Sequence, residues 1–156
     1  MRLLLMRHAE AVAGGSHPDH ERPLTDAGRR DAAAMGRWLH DQRTVPDAVL
    51  CSSALRARQT WEAVAAAVPD APAPSSSEAV YDAGPGEILD LLAEQPPEVG
   101  TVMVVGHNPT MAHLLAALTG ENRGFPAGGI AVLDLAGTWQ ELEDATLVDF
   151  AGPRSG

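Results

Sequence analysis

Three apolar runs of strand length, Arg2 to Met6, Ala48 to Cys51 and Thr101 to Val105, each precede a segment of helical length, the first after a polar loop to about Pro23 and the other two within a few residues. Runs this short suit strands covered on both faces better than buried helices. The segments between them carry helix signals. Thr25 is placed to cap a helix through Gln42, on which Ala32, Met35, Trp38 and Leu39 share an apolar face. Ser52 or Ser53 is placed to cap the next, where Leu55, Thr60, Val64 and Val68 recur at helical spacing until Pro69 stops it. Pro85 to Ala93 opens a third helix with proline in its first turn, and Pro109 starts another through Leu118. Glu78 to Asp82 reads as a short strand, and Ile130 to Leu135 followed by Thr146 to Phe150 reads as a closing hairpin.

Strands alternating with helices of this length predict an α/β domain, a three-layer αβα sandwich with a mainly parallel central sheet. Ligands of such sheets bind beyond the carboxyl ends of the strands. His8, Ser52 and His107 all fall at such ends, so three distant segments are expected to meet in one crevice. The Pro/Ser-rich stretch Ala71 to Ser77 is too short to link domains, and residues 1–156 are read as one domain. An apolar fraction of 45% supports a core without staples, and the single cysteine, Cys51, excludes an internal disulfide. No basic leader precedes a long apolar run, and no run approaches the roughly 20 residues that span a bilayer; the expected compartment is the cytoplasm.

The formal charge of −10 argues against nucleic acid or an anionic membrane as partner, since both need a basic face. All 11 basic residues are arginine, the side chain suited to two-pronged capture of phosphate, so a local anion pocket remains open to an acidic chain. Imidazole attacks phosphorus when one nitrogen carries an exposed lone pair and the other is fixed as a donor. The transferring group then needs arginine forks and helix N-terminal amides around its oxygens. Arg7 adjoins His8, and Arg56 sits in the first turn of a helix that begins at a strand end. His107 follows Gly106 and precedes a helix N-terminus, where a protonated ring would donate to a phosphoryl oxygen.

Leu5-Met6-Arg7-His8-Ala9-Glu10 resembles the signature of the histidine phosphatase (phosphoglycerate mutase-like) superfamily. Arg22-Pro23-Leu24-Thr25 with Gly28, Ser52 to Thr60 and Val105-Gly106-His107-Asn108-Pro109 match its later motifs in order, over Arg2 to about Phe150. The resemblance implies that His8 is the phosphorylated nucleophile, that Arg7 and Arg56 bind phosphate and that His107 completes the pocket. It implies a hydrolase needing neither metal nor other cofactor. The short chain resembles the SixA phosphohistidine phosphatase branch in particular. Arg22 either reaches the pocket or forms a salt bridge.

Many members carry a carboxylic acid between the second helix and the later histidine. Val80 aligns there, flanked by Glu78 and Asp82, and Asp82 is taken as the candidate proton donor. A phosphohistidine substrate suffers least from a missing acid, because its leaving imidazole is easily protonated. The expected partner is therefore a phosphorylated protein bearing phosphohistidine, with a small phosphorylated metabolite as the alternative. A non-catalytic phosphate-binding module is the rival from outside the enzymes. His17, Asp19 and His20 are the one group suggestive of metal ligands; they lie in a loop without cysteine, and no metal is expected.

Overall fold

The computed structural model describes residues 1–15 and 17–153. In chain order it runs β1 (Arg2–Arg7), a short 3-10 turn (Asp19–Glu21), α1 (Asp26–Asp41), β2 (Ala48–Ser52), α2 (Leu55–Ala66), β3 (Ser75–Ser77), α3 (Glu78–Tyr81), α4 (Pro85–Ala93), β4 (Thr101–Gly106), α5 (Thr110–Thr119), β5 (Ile130–Gly137) and β6 (Leu142–Ala151). The strands form one six-stranded sheet in the order β3-β2-β4-β1-β5-β6. β1, β2, β3 and β4 are parallel, whereas β5 and β6 add an antiparallel hairpin to one side. The sheet is thus mixed but mostly parallel, as expected.

Strand alternation divides the core in two. Leu4, Met6, Met103 and Val105 face Ala32, Met35 and Leu39 of α1 and Trp61 and Val64 of α2. Leu3, Leu5, Val102 and Val104 face Ile88 and Leu92 of α4 and Met111, Leu114 and Leu115 of α5. Successive side chains of one strand therefore serve opposite helical layers, which is why β1 and β4 read as unbroken apolar runs. Burying one such leucine contributes about 1.5–3 kcal/mol.

Local chemistry sets the element ends. Thr25 caps α1: its Oγ1 accepts the Gly28 N–H at 2.9 Å and donates to Glu10 Oε1 at 2.9 Å. A Cβ on Gly28 would stand 2.1 Å from the Glu10 carbonyl oxygen, so only glycine lets this first turn lie on the segment that follows His8.

Several expected boundaries change: β5 and β6 are longer than expected, running to Gly137 and from Leu142, and α2 ends at Ala66, before Val68. Glu78 to Asp82 is not a strand. Ser77 caps it as a helical turn by accepting the Ala79 N–H, the strand moves back to Ser75–Ser77, and Val80 alone enters the core. Neither Ser52 nor Ser53 caps α2. Ala54 holds that position, and Ser52 Oγ accepts the Ala54 N–H across a local turn. No helix among the described residues is long and apolar enough to cross a membrane.

Candidate active site

Parallel pairing of β1 and β4 sets Arg7 opposite Gly106, so the next residue of each strand, His8 and His107, leaves the sheet beside the other. Their ring centroids lie 5.2 Å apart at 56°. The His8 N–H donates to the Gly106 carbonyl at 3.0 Å, and Gly128, at φ +78°, turns its N–H toward the carbonyls of Arg7 and His8. The backbone around His8 is thus held from β4 on one side and from the turn before β5 on the other. A cavity of about 360 Å³ opens here, lined by Arg7, His8, Arg22, Arg56 and His107 together with Glu10 and Asn108.

His8 Nδ1 is 2.8 Å from the Ala9 carbonyl oxygen. A carbonyl can only accept, so Nδ1 carries the proton and Nε2 keeps its lone pair. Burial pushes the His8 ring down to about 4; the Ala9 contact opposes that shift, and the charges of Arg56, Arg7 and Arg22 reinforce it. The ring is neutral at physiological pH, the state a nucleophile needs.

Three donors stand around it. Arg7 Nη1 donates to the Phe125 carbonyl at 2.9 Å. Arg56 Nη1 donates to the Asp19 carbonyl at 2.7 Å and Nη2 to Asp19 Oδ2 at 3.1 Å. His107 Nε2 lies 2.7 Å from Ser52 Oγ, which takes the Ala54 N–H and so has its own proton free to donate to that ring. Left over are Arg7 Nε, Arg56 Nε and His107 Nδ1, the buried side-chain polar atoms without a partner among the described residues. Buried polar groups are almost always paired, because an orphan costs about 1–3 kcal/mol. All three belong to residues that line one cavity with His8, which marks a place built for an acceptor, and arginine N–H groups favour an anionic one.

His107 is pushed down further, to about 3, by burial first, then by the neighbouring His8 and the Arg56 charge, against the weaker pull of Asp19. It is neutral here, not protonated as expected for the liganded pocket; an anion at Nδ1 would reverse the sign of its surroundings.

Thr60, buried in α2, accepts the Ala9 N–H at 3.0 Å and donates to the Arg56 carbonyl at 2.7 Å. This one hydroxyl couples the nucleophile loop to the arginine helix. Arg22 does both things expected of it in the alternative: it lines the cavity and pairs with Asp19 through Nη2 at 3.0 Å.

The structure does not bring Asp82 to this group. It is the exposed C-terminal cap of α3 and does not line the cavity, and Glu78 at the start of the same turn is exposed as well. Folding as a helical turn sets the half-exposed Tyr81 beside the site instead. Its ring lies 5.6 Å from that of His107, and its hydroxyl donates to Asp19 Oδ2. Sequence reasoning missed Tyr81, Thr60 and the role of Asp19. The available signal was the spacing of Asp19 and Arg22, three residues apart and able to pair on one helical turn.

A larger hollow of about 630 Å³ lies at the opposite end of the sheet beside Met1, Arg2 and Thr101. There Arg2 is satisfied by Asp134 at 2.8 Å, and among the described residues lining it no buried side-chain donor is left without a partner.

Known proteins show the same arrangement of chain. The sequence profile of the histidine phosphatase superfamily (branch 1) matches residues 3–79. An uncharacterized protein of Mycobacterium tuberculosis is 41% identical over 162 residues, covering 96% of this chain and all of the relative. The phosphohistidine phosphatase SixA of Escherichia coli is 33% identical over 125 residues, 76% of this chain and 74% of that one. The solved structure of the protein histidine phosphatase SixA complexed with tungstate superposes with a TM-score of 0.86 at 28% identity, over 98% of this chain and 97% of the other. Profile, relatives and fold agree that the chain belongs to the histidine phosphatase superfamily, branch 1.

Proposed function

We propose that this chain is a phosphatase acting on protein phosphohistidine through a covalent intermediate on His8. The observation that carries the reading is the set of buried, unpartnered donors Arg7 Nε, Arg56 Nε and His107 Nδ1 around an imidazole whose Nδ1 is committed to the Ala9 carbonyl. His8 Nε2 attacks phosphorus as the substrate's N–P bond breaks and the leaving imidazole takes up a proton. Arg7, Arg56 and His107 hold the equatorial oxygens where charge collects, and Arg22 adds positive charge at the cavity wall. Water then attacks the phosphoryl group from the far side, the bond to His8 breaks, and inorganic phosphate departs.

The surroundings favour a leaving group that needs little help. Tyr81 and the two arginines hold the Asp19 carboxyl well below the usual carboxylate range, so it has no proton to give at neutral pH. Asp82 and Glu78 are exposed at the two ends of α3, outside the cavity wall, and Glu10, the carboxylate in that wall, is engaged by the Thr25 hydroxyl at 2.9 Å. Imidazole leaves readily without a strong acid, whereas a sugar alkoxide does not. The similarity to SixA, a phosphohistidine phosphatase, supports the same substrate class.

A panel of one phosphohistidine protein, p-nitrophenyl phosphate and a hexose phosphate tests the assignment. The expected order of kcat/KM places the phosphohistidine protein first and the hexose phosphate last. Preference for the hexose phosphate would replace the reading with a small-molecule phosphomonoesterase, and no turnover of any would leave a phosphate-binding module.

The acid limb of the pH profile follows from His8. Neutral imidazole is the reactive form and its pKa is lowered to about 4, so protonation removes activity only as pH falls through about 4. An unperturbed histidine would lose it near 6.5. The check is kcat/KM for p-nitrophenyl phosphate, corrected for ionisation of the substrate, from pH 4 to 8. A half-maximal point near 6.5 would show that His8 is not desolvated as described.

A further inference from the structure

Asp19 presents a puzzle of sign. It sets a carboxylate among the arginines of an anion site, where its charge alone opposes any phosphoryl group. Its contacts show what it does there. Arg22 donates to Oδ1 through Nε at 3.2 Å and Nη2 at 3.0 Å, Arg56 donates to Oδ2 at 3.1 Å and to the Asp19 carbonyl at 2.7 Å, and the Tyr81 hydroxyl also donates to Oδ2. Asp19 thus joins the 3-10 turn, the Arg22 segment, α2 and α3.

A guanidinium offers two forked edges, one formed by Nη1 with Nη2 and one by Nε with Nη2. Asp19 takes the first edge of Arg56. The Arg56 side chain is 7% exposed, and its Nε is buried and unpartnered. Arg7 is held in the same style, with Nη1 on the Phe125 carbonyl and Nε unpartnered. Each arginine lines the cavity, is gripped by protein at its Nη end and keeps a buried Nε without a partner.

We propose that Asp19 is a positioning residue for phosphoryl capture: by gripping the far edge of Arg56, with Tyr81 steadying the carboxylate, it aims the Nε edge of Arg56 at the phosphoryl group on His8. The inference rests on the phosphatase reading. What it adds is that a negative residue strengthens binding of a negative ligand, because a long side chain fixed beforehand loses less entropy on binding.

The two contributions of Asp19 have opposite signs, so tungstate binding to the whole chain, followed by calorimetry, separates them. Asp19→Ala should weaken tungstate about 10-fold even though it removes a negative charge. Asp19→Glu, which keeps the charge and can regain part of the grip, should recover some of that loss. In an Arg56→Lys background Asp19→Ala should cost less than two-fold, because the fork it positions is already gone. Tyr81→Phe, which removes only the hydroxyl, should weaken tungstate a few-fold and serves should the Asp19 variant fold poorly. Tighter or unchanged binding by Asp19→Ala would overturn the proposal, as would fully additive losses with Arg56→Lys, or unchanged binding by Tyr81→Phe where that variant alone is soluble. Failure of the wild-type chain to bind tungstate would instead overturn the phosphoryl site itself, and the proposal with it.

Discussion

Replacing His8 with alanine should lower turnover by at least about 10⁴-fold while leaving the fold in place, since loss of a nucleophile removes the pathway and not merely one of its contacts. Among the described residues the side chain makes one hydrogen bond, from Nδ1 to the adjacent Ala9 carbonyl, and it belongs to neither core layer. Stopped in mid-turnover and denatured, the wild-type chain should carry phosphate that is lost in acid and stable in base, and the variant should carry none. Activity of the variant within a few-fold of wild type would remove the covalent mechanism.

Arg56→Lys should cost about 100-fold in kcat/KM, the equivalent of about 3 kcal/mol and of the same order as losing one preorganised oxyanion donor. A conservative exchange on the surface would be harmless; here the side chain is buried in the cavity wall, and two of its three nitrogens are held by Asp19 while the third is buried without a partner. Lysine supplies a single ammonium and cannot hold Asp19 and an oxygen of the substrate on separate edges. Steady-state kinetics on the phosphohistidine protein measures the loss. An unchanged kcat/KM would place Arg56 outside phosphoryl binding.

What could be read from the sequence follows from where information is local. β1 and β4 are apolar on both faces because each lies inside the sheet, so their runs are continuous and their ends, Arg7-His8 and Gly106-His107, were evident. α4 was legible to the residue because Pro85 marks its start. Glu78 to Asp82 reads as a strand in the sequence because so short a segment fits either period, and the Ser77 cap decides between them through a bond that spacing does not reveal. Asp19 escaped for a different reason. Its partners Arg56 and Tyr81 lie 37 and 62 residues away, and only tertiary closure gives its carboxylate a purpose. Asp82 has a suitable position in the chain for a carboxylate, yet the turn that caps at Asp82 sets the half-exposed Tyr81 beside His107 and Asp19 in its place.

The pairing of β1 with β4 carries a consequence for synthesis. Residue 2 lies against residue 101 and residue 7 against residue 106, so the two histidines become neighbours only through a contact that spans most of the chain. Closing so long a loop is entropically expensive and slow compared with forming any one helix. A polypeptide emerging from the ribosome therefore carries His8 for most of its elongation without a second imidazole beside it or a sheet edge to fix its backbone. Until β4 has left the exit tunnel and slotted between β2 and β1, there is no anion cradle to capture stray phosphate, and the finished pocket arises together with the centre of the sheet.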